Sequence, residues 1–296
     1  MKGKFVDLSV IICNYNTRRF LEKNLAALKK ALKNISSEII IIDNGSTDGS
    51  ASLVSSQFPS VRLIRNSQNL GYSQGYNQGT KIASGRYILH LNSDIEWSSG
   101  SDLKNLISFL DNNPRIGISG CKIITSGGRL DLPCKRSLPT LTNVFFQFSG
   151  LYRIFPGNKL LGEYYLTYLD ENKAQYVDCL MGAFMLIRKS VFDQIGLLDE
   201  RFFIYGEDID FCFRAVRAGW KIYYYPSLTV LHRHGGTTNK SKLKHLYLFH
   251  KAMYHYYHKH LTQQSPFLLN LLVDLAIATR FAICLSYELA KSIYRS

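Results

Sequence analysis

Two short apolar segments of the chain are each followed by an acidic residue that could take part in chemistry. Asp43 follows residues 39–42, and Asp94 comes shortly after residues 87–91. A carboxylate such as that of Asp43 can accept hydrogen bonds from a base or a ribose, and the turn after it can present backbone amides to a phosphate. Asp94 offers the oxygen ligands that Mg²⁺ and Mn²⁺ prefer. Taken separately, each motif is also typical of an Asx turn or a helix cap.

A third acidic group lies further along the chain and suits acid–base chemistry. Four acidic residues lie between positions 200 and 210, among aromatic residues such as Tyr205. Glu207 and Asp208 begin a predicted helix, where they could simply interact with the helix dipole. An acidic cluster beside aromatic rings also suits a general base next to a sugar. His232 follows residues 229–231 and could be a metal ligand, a phosphate contact or a structural histidine.

A glycine-rich segment, residues 69–79, precedes the strand that leads to Asp94. Gly71, Gly75 and Gly79 recur every four residues. This spacing permits a close approach of the backbone to a ligand, and it equally permits tight packing of a helix on a sheet. It matches neither the dinucleotide-binding fingerprint nor the P-loop.

The elements that must position these residues alternate between strands and helices in the first 125 residues. Apolar segments predict strands at residues 6–13, 39–42, 61–64 and 87–91, and helical patterns occupy residues 19–33, 49–57, 73–83 and 102–112. This alternation is typical of a buried parallel sheet built of βαβ units. Beyond it, a helix at residues 207–218 and short strands at residues 221–225 and 229–231 are predicted. Ligands bind at the carboxyl edge of such a sheet, where Asn14, Asn16, Asp43 and Asp94 are expected.

The composition of the 296-residue chain excludes a disordered or fibrous protein, since 46% of the residues are hydrophobic and 20% are charged. The formal net charge of +14 favours an anionic partner, which could be nucleic acid, a lipid surface or a phosphorylated substrate. The six scattered cysteines fit neither a zinc site nor a disulfide framework, so we expect reduced thiols. The N-terminal apolar segment is too short for a signal peptide, and we expect the protein to stay on the cytoplasmic side.

The last sixty residues differ from the rest. Residues 245–260 are rich in Lys, His and Tyr, which suits nucleic acid bases, a lipid headgroup layer or a solvated helix face. Residues 266–295 predict an amphipathic helix whose polar strip includes Asn270, Asp274 and Arg280. A membrane span would bury the two charged residues at a cost of about 2.5–3.5 kcal/mol each. We therefore favour an interfacial helix in the membrane plane, with packing on protein as the alternative.

In their order and spacing, these motifs resemble the inverting nucleotide-sugar glycosyltransferases of family 2, which have the GT-A fold. The resemblance covers roughly residues 7–240 and rests on residues 9–16, 41–48, 69–79, 91–94, 182–188, 202–210 and His232. The pattern is most similar to bacterial rhamnosyltransferases of surface polysaccharide assembly, such as O-antigen assembly. It implies an α/β fold with a mixed, mostly parallel sheet flanked by helices, followed by a C-terminal helical extension.

The resemblance also implies roles for individual residues. Asp208 would be the catalytic base that deprotonates the acceptor hydroxyl, with Glu207 as the alternative base. Asp94 and His232 would hold Mg²⁺ or Mn²⁺, although Asn92 replaces the first acid of the family's Asp-x-Asp motif and leaves one firm carboxylate ligand. The residues implied to line the nucleotide site are Asn14, Asn16, Asp43, Asn69, Gly71, Asn77 and Ser93. The residues implied to contact the acceptor are Gly182 and Tyr205.

The resemblance implies a nucleotide-sugar donor and a lipid-linked glycan acceptor. Deoxythymidine diphosphate rhamnose is the favoured donor, and a UDP-linked hexose or N-acetylhexosamine is the alternative. We expect residues 1–235 to form the catalytic domain, with a nucleotide-binding half (1–125) and an acceptor-binding half (126–235). Residues 236–296 would form a basic, amphipathic extension that associates peripherally with the cytoplasmic face of the plasma membrane.

Other classes of protein explain the sequence less well. An inactive scaffold of the same fold stays open, although Asp43, Asp94 and Asp208 are all present. A sugar-1-phosphate nucleotidyltransferase would need glycines after the first strand, where residues 14–19 have none. A nucleic-acid-binding protein would explain the charge, but no motif of that class is present, and we expect no nucleic acid partner.

Overall fold

A computed structural model describes residues 6–97, 102–233 and 242–293 of the chain. The strands are β1 (Leu8–Asn14), β2 (Ser37–Asp43), β3 (Arg62–Arg65), β4 (Tyr87–Asn92), β5 (Ile95–Trp97), β6 (Ile116–Thr125), β7 (Lys135–Arg136), β8 (Gln175–Val177), β9 (Cys179–Leu180), β10 (Phe184–Arg188) and β11 (Lys221–His232). The α-helices are α1 (Arg18–Ala31), α2 (Ser50–Gln57), α3 (Tyr72–Ile82), α4 (Asp102–Asp111), α5 (Leu141–Ser149), α6 (Leu151–Ile154), α7 (Lys189–Ile195), α8 (Glu207–Arg217), α9 (Lys242–His260) and α10 (Phe267–Ile293).

Within these described residues, one mixed sheet contains nine of the strands, in the order β3-β2-β1-β4-β10-β6-β11-β5, with β8 paired to β11. Strands β1 to β4 run parallel, as do β6 and β11. Strands β10, β5 and β8 are antiparallel to their neighbours. The predicted α/β architecture with a mostly parallel sheet is confirmed.

The register of the sheet brings the polar residues predicted from the sequence to one edge. Asn14 at the end of β1 is paired with Asp43 at the end of β2, and Cys13 is paired with Asn92 at the end of β4. Strand β10 is antiparallel to both β4 and β6, and β11 is parallel to β6. Strand β11 therefore runs in the same direction as β4, so its last residue, His232, lies at the same edge.

The sheet is held by a core of aliphatic side chains. Ile11, Ile41 and Leu89 on adjacent parallel strands are fully buried. Helix α1 adds Leu21, Leu25 and Leu28, whose spacing of three and four residues puts them on one buried face. Full burial of such a side chain stabilises the fold by about 1.5–3 kcal/mol, so the core fixes the strand ends that carry polar residues.

Two features of the sheet differ from the sequence-based prediction. Residues 221–232 form one strand, β11, where two short strands were predicted. Its register shifts between Tyr225 and Thr229, because Pro226 has no N–H for the ladder but keeps the chain extended. Strand β6 was not predicted, since Gly117 and Gly120 interrupt its apolar pattern. Both glycines are required by packing: a Cβ at Gly120 would lie 2.8 Å from the Leu180 side chain.

The two C-terminal helices, α9 and α10, pack on each other and contact the preceding part of the chain. Ala252 and Tyr256 of α9 bury against Phe202. His260 at the end of α9 lies 2.7 Å from the buried carboxylate of Asp210 on α8. The boundary predicted near residue 235 lies outside the described residues.

Candidate active site

A cavity of about 1340 Å³ opens at the carboxyl edge of the sheet. Its wall is formed by strand ends on one side and by α5, α8, α9 and α10 on the other. The predicted site residues that line it are Asn14, Asn16, Asn69, Gly71, Ser93, Asp94, Gly182, Tyr205, Glu207, Asp208 and His232. The sheet and the helices thus bring most of the predicted site residues to one cavity.

Asp43 organises the end of β1 from beneath the cavity lining. It is buried, and its carboxylate accepts hydrogen bonds from Asn14 Nδ2 at 2.9 Å and from the Ser46 N–H at 2.9 Å. Ser46 Oγ in turn accepts a hydrogen bond from the Asn16 N–H. Asn16 has a positive φ of 53°, and its Oδ1 accepts a hydrogen bond from the Thr47 N–H. Asp43 therefore fixes the asparagines that face the cavity but is not itself part of its lining.

Gly71 is the point at which the glycine-rich segment meets the segment before α8. Its φ of +88° and the 2.6 Å that would separate a Cβ from the Phe203 carbonyl both require glycine. Asn69 Oδ1 accepts a hydrogen bond from the Gly71 N–H, and Asn44 Nδ2 donates to the Gly71 carbonyl at 2.9 Å. This loop is fixed against both the sheet edge and the segment before α8.

Asn77 does not face the cavity, in contrast to the sequence-based prediction. It is buried on α3, where its Nδ2 donates to the Leu198 carbonyl at 2.9 Å and its Oδ1 accepts from the Leu198 N–H at 3.0 Å. Both hydrogen-bonding groups of the amide are used by one backbone residue. Asn77 thus holds the segment before α8 in place.

Asp94 and His232 face each other across the cavity edge. Asp94 Oδ1 lies 3.3 Å from His232 Nε2, and Asp131 Oδ2 lies 3.2 Å from His232 Nδ1 on the other side of the ring. Ser93, next to Asp94, shares a hydrogen bond with Thr17. Burial by itself lowers the pKa of His232, but the hydrogen bonds and charges of Asp131 and Asp94 outweigh burial and raise the pKa to about 9.

This pair can take part in binding a divalent ion. No group of three or more His, Cys, Asp or Glu side chains is arranged around a common metal position in residues 6–97, 102–233 and 242–293. Mg²⁺, however, is commonly held by one or two carboxylates, substrate phosphates and water. A histidine that binds a metal usually donates its other ring N–H to a carboxylate. Asp131 is placed to accept such a hydrogen bond from His232 Nδ1. These residues therefore fit a divalent ion that is completed by a phosphorylated substrate, and its binding would displace the proton that the raised pKa of His232 retains on the ring.

Asp208 is held in a defined orientation at the beginning of α8. Its Oδ2 accepts hydrogen bonds from Arg136 Nη2 at 2.7 Å and from the Gly182 N–H at 3.1 Å. The Arg136 and Asp208 side chains are 7% and 12% exposed, so their ion pair is largely shielded from water. Oδ1 accepts from the Ile209 N–H, and further lone pairs of the carboxylate stay available to accept a proton.

Glu207 differs from its neighbour in its environment. It is buried, and its Oε2 has no hydrogen-bond partner among the described residues. Burial, followed by the negative charge of Asp208, raises the pKa of Glu207 well above its ordinary value. This favours a neutral Glu207 beside an ion-paired Asp208, so the geometry points to Asp208 as the carboxylate that can act as a base.

The segment before α8 presents Tyr205 to the same cavity. Tyr205 has a positive φ of 70°, which is strained for a residue with a side chain. Its hydroxyl lies 3.1 Å from His245 Nδ1 on α9. The backbone carbonyl of Gly182 accepts a hydrogen bond from the Tyr72 hydroxyl. Gly182 and Tyr205 therefore flank Asp208 from two separate elements.

Helix α10 turns its polar strip inward and its apolar face outward. Asn270 Oδ1 accepts a hydrogen bond from Tyr257, Asp274 lies 2.8 Å from His258, and Arg280 lies 2.7 Å from His250. The opposite face exposes large apolar side chains: Phe267, Leu268, Leu271, Leu272, Leu275 and Ile283. Residues Phe267–Ser292 are long and apolar enough to cross a membrane by length and composition alone, with a mean hydropathy of 1.9.

Two residues of the site could not be found from the sequence. Arg136 lies in a segment that reads as a loop, and its contact with Asp208 joins residues 72 positions apart. Asp131 and His232, which are also in contact, are 101 positions apart in the sequence. Neither residue follows a predicted strand, so no local signal marks it.

The chain matches two family models. The model described as "Glycosyl transferase family 2" matches residues 9–196. The model described as "Glycosyl transferase family group 2" matches residues 168–285. The two matches together extend from β1 into α10, and the first alone covers more than half of the chain.

Two individual relatives agree with the matches to the glycosyl transferase family models. The N-acetylglucosaminyl-diphospho-decaprenol L-rhamnosyltransferase of Mycobacterium tuberculosis is 31% identical over 262 residues, which cover 83% of this chain and 82% of the relative. The low-salt glycan biosynthesis hexosyltransferase Agl10 of Haloferax volcanii is 30% identical over 71% of this chain and 62% of its own length.

A solved structure supports the fold. The mannosyltransferase PcManGT from Pyrobaculum calidifontis, solved in complex with GDP-Man and Mn²⁺, matches with a TM-score of 0.56 at 14% identity. The match covers 87% of this chain and 64% of that one, slightly less than two thirds of its length. The likeness confirms the predicted GT-A fold. Taken with the family match and the mycobacterial relative, it shows that this chain belongs to glycosyl transferase family 2 and resembles its rhamnosyltransferases.

Proposed function

We propose that this protein transfers a sugar from a nucleotide-sugar donor to a lipid-linked glycan acceptor, with inversion at the anomeric carbon. One observation carries the proposal. The oriented carboxylate of Asp208 and the Asp94–His232 pair line the same cavity, whose far wall is the helix pair α9–α10.

The donor nucleotide would lie at the strand ends. Asn14, Asn16, Asn69, Gly71 and Ser93 offer amide, hydroxyl and backbone groups there, and Asp43 positions the first two. Asp94 and His232 would hold a divalent ion, which stabilises negative charge on a leaving nucleoside diphosphate. The Mn²⁺ in the PcManGT complex supports this assignment for a related fold. Mg²⁺ and Mn²⁺ are both compatible with the donor set.

Asp208 would act as the general base. Its carboxylate takes the proton of an acceptor hydroxyl while that oxygen attacks the anomeric carbon from the face opposite the diphosphate. The new bond joins the acceptor oxygen to the anomeric carbon. The bond from that carbon to the diphosphate oxygen breaks, and its electron pair leaves with the nucleoside diphosphate. Arg136 and the Gly182 N–H hold the carboxylate in one orientation for this step.

The acceptor would reach the cavity from a membrane surface. Helix α10 exposes its apolar face, while α9 carries the exposed lysines Lys242, Lys244 and Lys251. The polar strip of α10 is bonded to α9, so a membrane-spanning α10 would draw a basic helix into the bilayer at high cost. An in-plane arrangement leaves the lysines beside anionic headgroups. It supports peripheral association with the cytoplasmic face of the plasma membrane, with residues 236–296 as the associating extension of a catalytic domain at residues 1–235.

The donor sugar is proposed from the relatives. The mycobacterial relative is named as an L-rhamnosyltransferase of N-acetylglucosaminyl-diphospho-decaprenol, which supports deoxythymidine diphosphate rhamnose as donor and a lipid diphosphate glycan as acceptor. A UDP-linked hexose or N-acetylhexosamine is the second candidate, because pocket shape sets the choice of sugar within one fold.

The proposal is tested by measuring nucleoside diphosphate release from a panel of nucleotide sugars. Each reaction is run with Mg²⁺, Mn²⁺ or EDTA, and with or without a detergent-solubilised lipid-linked acceptor. We expect release from one donor that needs acceptor and metal and is lost in Asp208→Asn. Release that persists in EDTA would remove the metal role of Asp94. No release from any donor, with acceptors that a known transferase can use, would favour an inactive scaffold.

A further inference from the structure

The guanidinium of Arg280 lies in the cavity wall, halfway along α10. It is partly buried and stacks over the Phe148 ring at 4.0 Å from its centroid and over the Phe249 ring at 5.5 Å. Its Nη1 donates a hydrogen bond to His250 Nε2 at 2.7 Å. These contacts fix the plane of the guanidinium but use one of its five N–H donors.

The charge of Arg280 is not neutralised by these neighbours. His250 Nδ1 lies 2.8 Å from the Leu246 carbonyl, so Nδ1 carries the proton and Nε2 is the acceptor for Arg280. Burial lowers the pKa of His250; the hydrogen bond to the Leu246 carbonyl opposes this, and the charge of Arg280 adds to it, so that the pKa is lowered overall, in keeping with a neutral ring. Within the described part of the chain, Arg280 forms no ion pair with a carboxylate, and Asp274 on the same helix pairs with His258. A partly buried cation of this kind favours an anionic ligand.

The cavity wall formed by α5 and α10, the helices that carry Phe148 and Arg280, is mostly apolar. Besides Gln147 and Ser149, it includes Leu141, Val144, Phe145, Val273, Ala276 and Ile277. Phe145 is 65% exposed, so this end of the cavity also borders the surface. The ligand that fits is therefore an anionic group attached to hydrocarbon, since a free inorganic anion would gain nothing from the apolar wall.

We propose that Arg280 binds a phosphate of the lipid-linked acceptor, through the guanidinium N–H groups that His250 leaves available. The inference rests on the proposed function and deepens it by placing the acceptor's phosphate at the α10 wall. A guanidinium offers two parallel N–H groups to a phosphate. The acceptor sugar, attached to that phosphate, then extends toward Asp208 in the same cavity, while the hydrocarbon lies along the apolar wall.

The test compares Arg280→Gln and Arg280→Lys with Lys291→Gln, which removes the same charge from α10 outside the cavity lining. Two acceptors with the same N-acetylglucosamine are used, one carried by farnesyl diphosphate and one carried by a plain octyl group. For the diphosphate acceptor we expect Arg280→Gln to raise KM by about 10- to 100-fold. Arg280→Lys should cause a smaller rise, and Lys291→Gln none. Donor KM and the KM for the octyl acceptor should stay as in the wild type.

A binding measurement keeps the test independent of turnover. Farnesyl diphosphate and farnesol are titrated by calorimetry in EDTA, so that no divalent ion at Asp94 can hold the diphosphate. We expect Arg280→Gln to lose affinity for farnesyl diphosphate and to keep its affinity for farnesol. Equal affinity of wild type and Arg280→Gln for farnesyl diphosphate would overturn the inference, as would an equal rise in KM for both acceptors. Thermal unfolding of each variant shows whether α9 and α10 still pack.

Other outcomes distinguish failure of the phosphate site at Arg280 from failure of the proposed glycosyltransferase reaction. If the wild type glycosylates neither acceptor but Arg280→Gln loses farnesyl diphosphate binding, the proposed reaction fails while the phosphate site stands. A bilayer headgroup is the other source of a lipid phosphate. If Arg280→Gln weakens binding to vesicles of phosphatidylglycerol and leaves the diphosphate acceptor's KM unchanged, Arg280 is a headgroup contact and the acceptor assignment is wrong.

Discussion

Arg136 donates a 2.7 Å hydrogen bond to the same Asp208 oxygen that accepts the Gly182 N–H. The pair joins a short strand before α5 to the first turn of α8, and neither side chain is more than 12% exposed. The guanidinium holds the Asp208 carboxylate in one orientation, while Oε2 of the adjacent Glu207 has no hydrogen-bond partner among the described residues. Because of this difference, the Asp208 carboxylate can act as a base, whereas the Glu207 carboxyl group only fills space.

The first prediction concerns that difference. Asp208→Asn should lower kcat by about 10²- to 10⁴-fold, the usual contribution of a general base. Glu207→Gln should keep most of the activity, because glutamine replaces a buried, neutral carboxyl group with a neutral group of the same shape. Both variants are compared at saturating donor and acceptor. The reverse order of the two effects would assign the base to Glu207.

The second prediction concerns Asp131. Its carboxylate orients His232 through Nδ1 at 3.2 Å, so Asp131→Asn should weaken metal binding by about 10- to 100-fold. The measurement is the Mn²⁺ concentration that gives half-maximal activity, together with direct Mn²⁺ binding by electron paramagnetic resonance. Asp193→Asn, at an exposed position on α7, is the matched control. Unchanged Mn²⁺ binding in Asp131→Asn would contradict the orienting role.

The third prediction compares two glycine substitutions to separate the cost of a positive φ from the cost of a steric clash. Gly71→Ala and Gly128→Ala both place a side chain at positive φ, which costs about 1–2 kcal/mol. Only Gly71→Ala adds a clash, since its Cβ would lie 2.6 Å from the Phe203 carbonyl, whereas a Cβ at Gly128 meets nothing within 4 Å. Urea unfolding should show Gly71→Ala to be the less stable of the two. Donor KM should rise for Gly71→Ala alone.

The fourth prediction concerns the stability of the protein at acidic pH. Hydrogen bonding to Arg201 is the main cause that holds the pKa of Asp199 far below its ordinary value, and Lys259 on α9 contributes as well. A depressed pKa in the folded state stabilises the protein above the unfolded pKa of about 3.9, and this stabilisation is lost as the pH falls below it. The free energy of unfolding should therefore fall between pH 5 and pH 3 more steeply for the wild type than for Asp199→Asn. Parallel curves would show that the Asp199 carboxylate contributes no pH-dependent stability.

The fifth prediction concerns the outward face of α10. Leu271 and Leu275 are 54% and 62% exposed, so replacing both by glutamine should leave the fold intact and weaken binding to anionic vesicles by at least about tenfold. Co-sedimentation with vesicles measures the effect. Tyr176→Gln, at an exposed aromatic residue on β8, is the control. If the double variant binds vesicles as the wild type does, the apolar face packs on protein.

The parallel part of the sheet and its polar edge could be predicted because the signals are local. Each of β1, β2 and β4 is a mostly apolar segment that ends in a polar residue, and parallel strands end at the same edge. Strand β6 could not be predicted, since its glycines are explained by side chains from β9 and α7. Asn77 is a second example of a residue whose contacts are not visible in the sequence. Its side-chain amide could bind a ligand, but in the fold it is bonded to the backbone of Leu198. The amphipathic pattern of α10 was predictable, whereas the direction in which its polar strip faces depends on α9.

Helix α10 carries two surfaces, the cavity wall at Arg280 and the exposed leucines. Because both belong to one rigid element, a shift of the helix on α9 moves them together. Under the proposed function, insertion of the leucines into lipid would therefore fix the height of Arg280 above the bilayer, and with it the position at which an acceptor phosphate is bound.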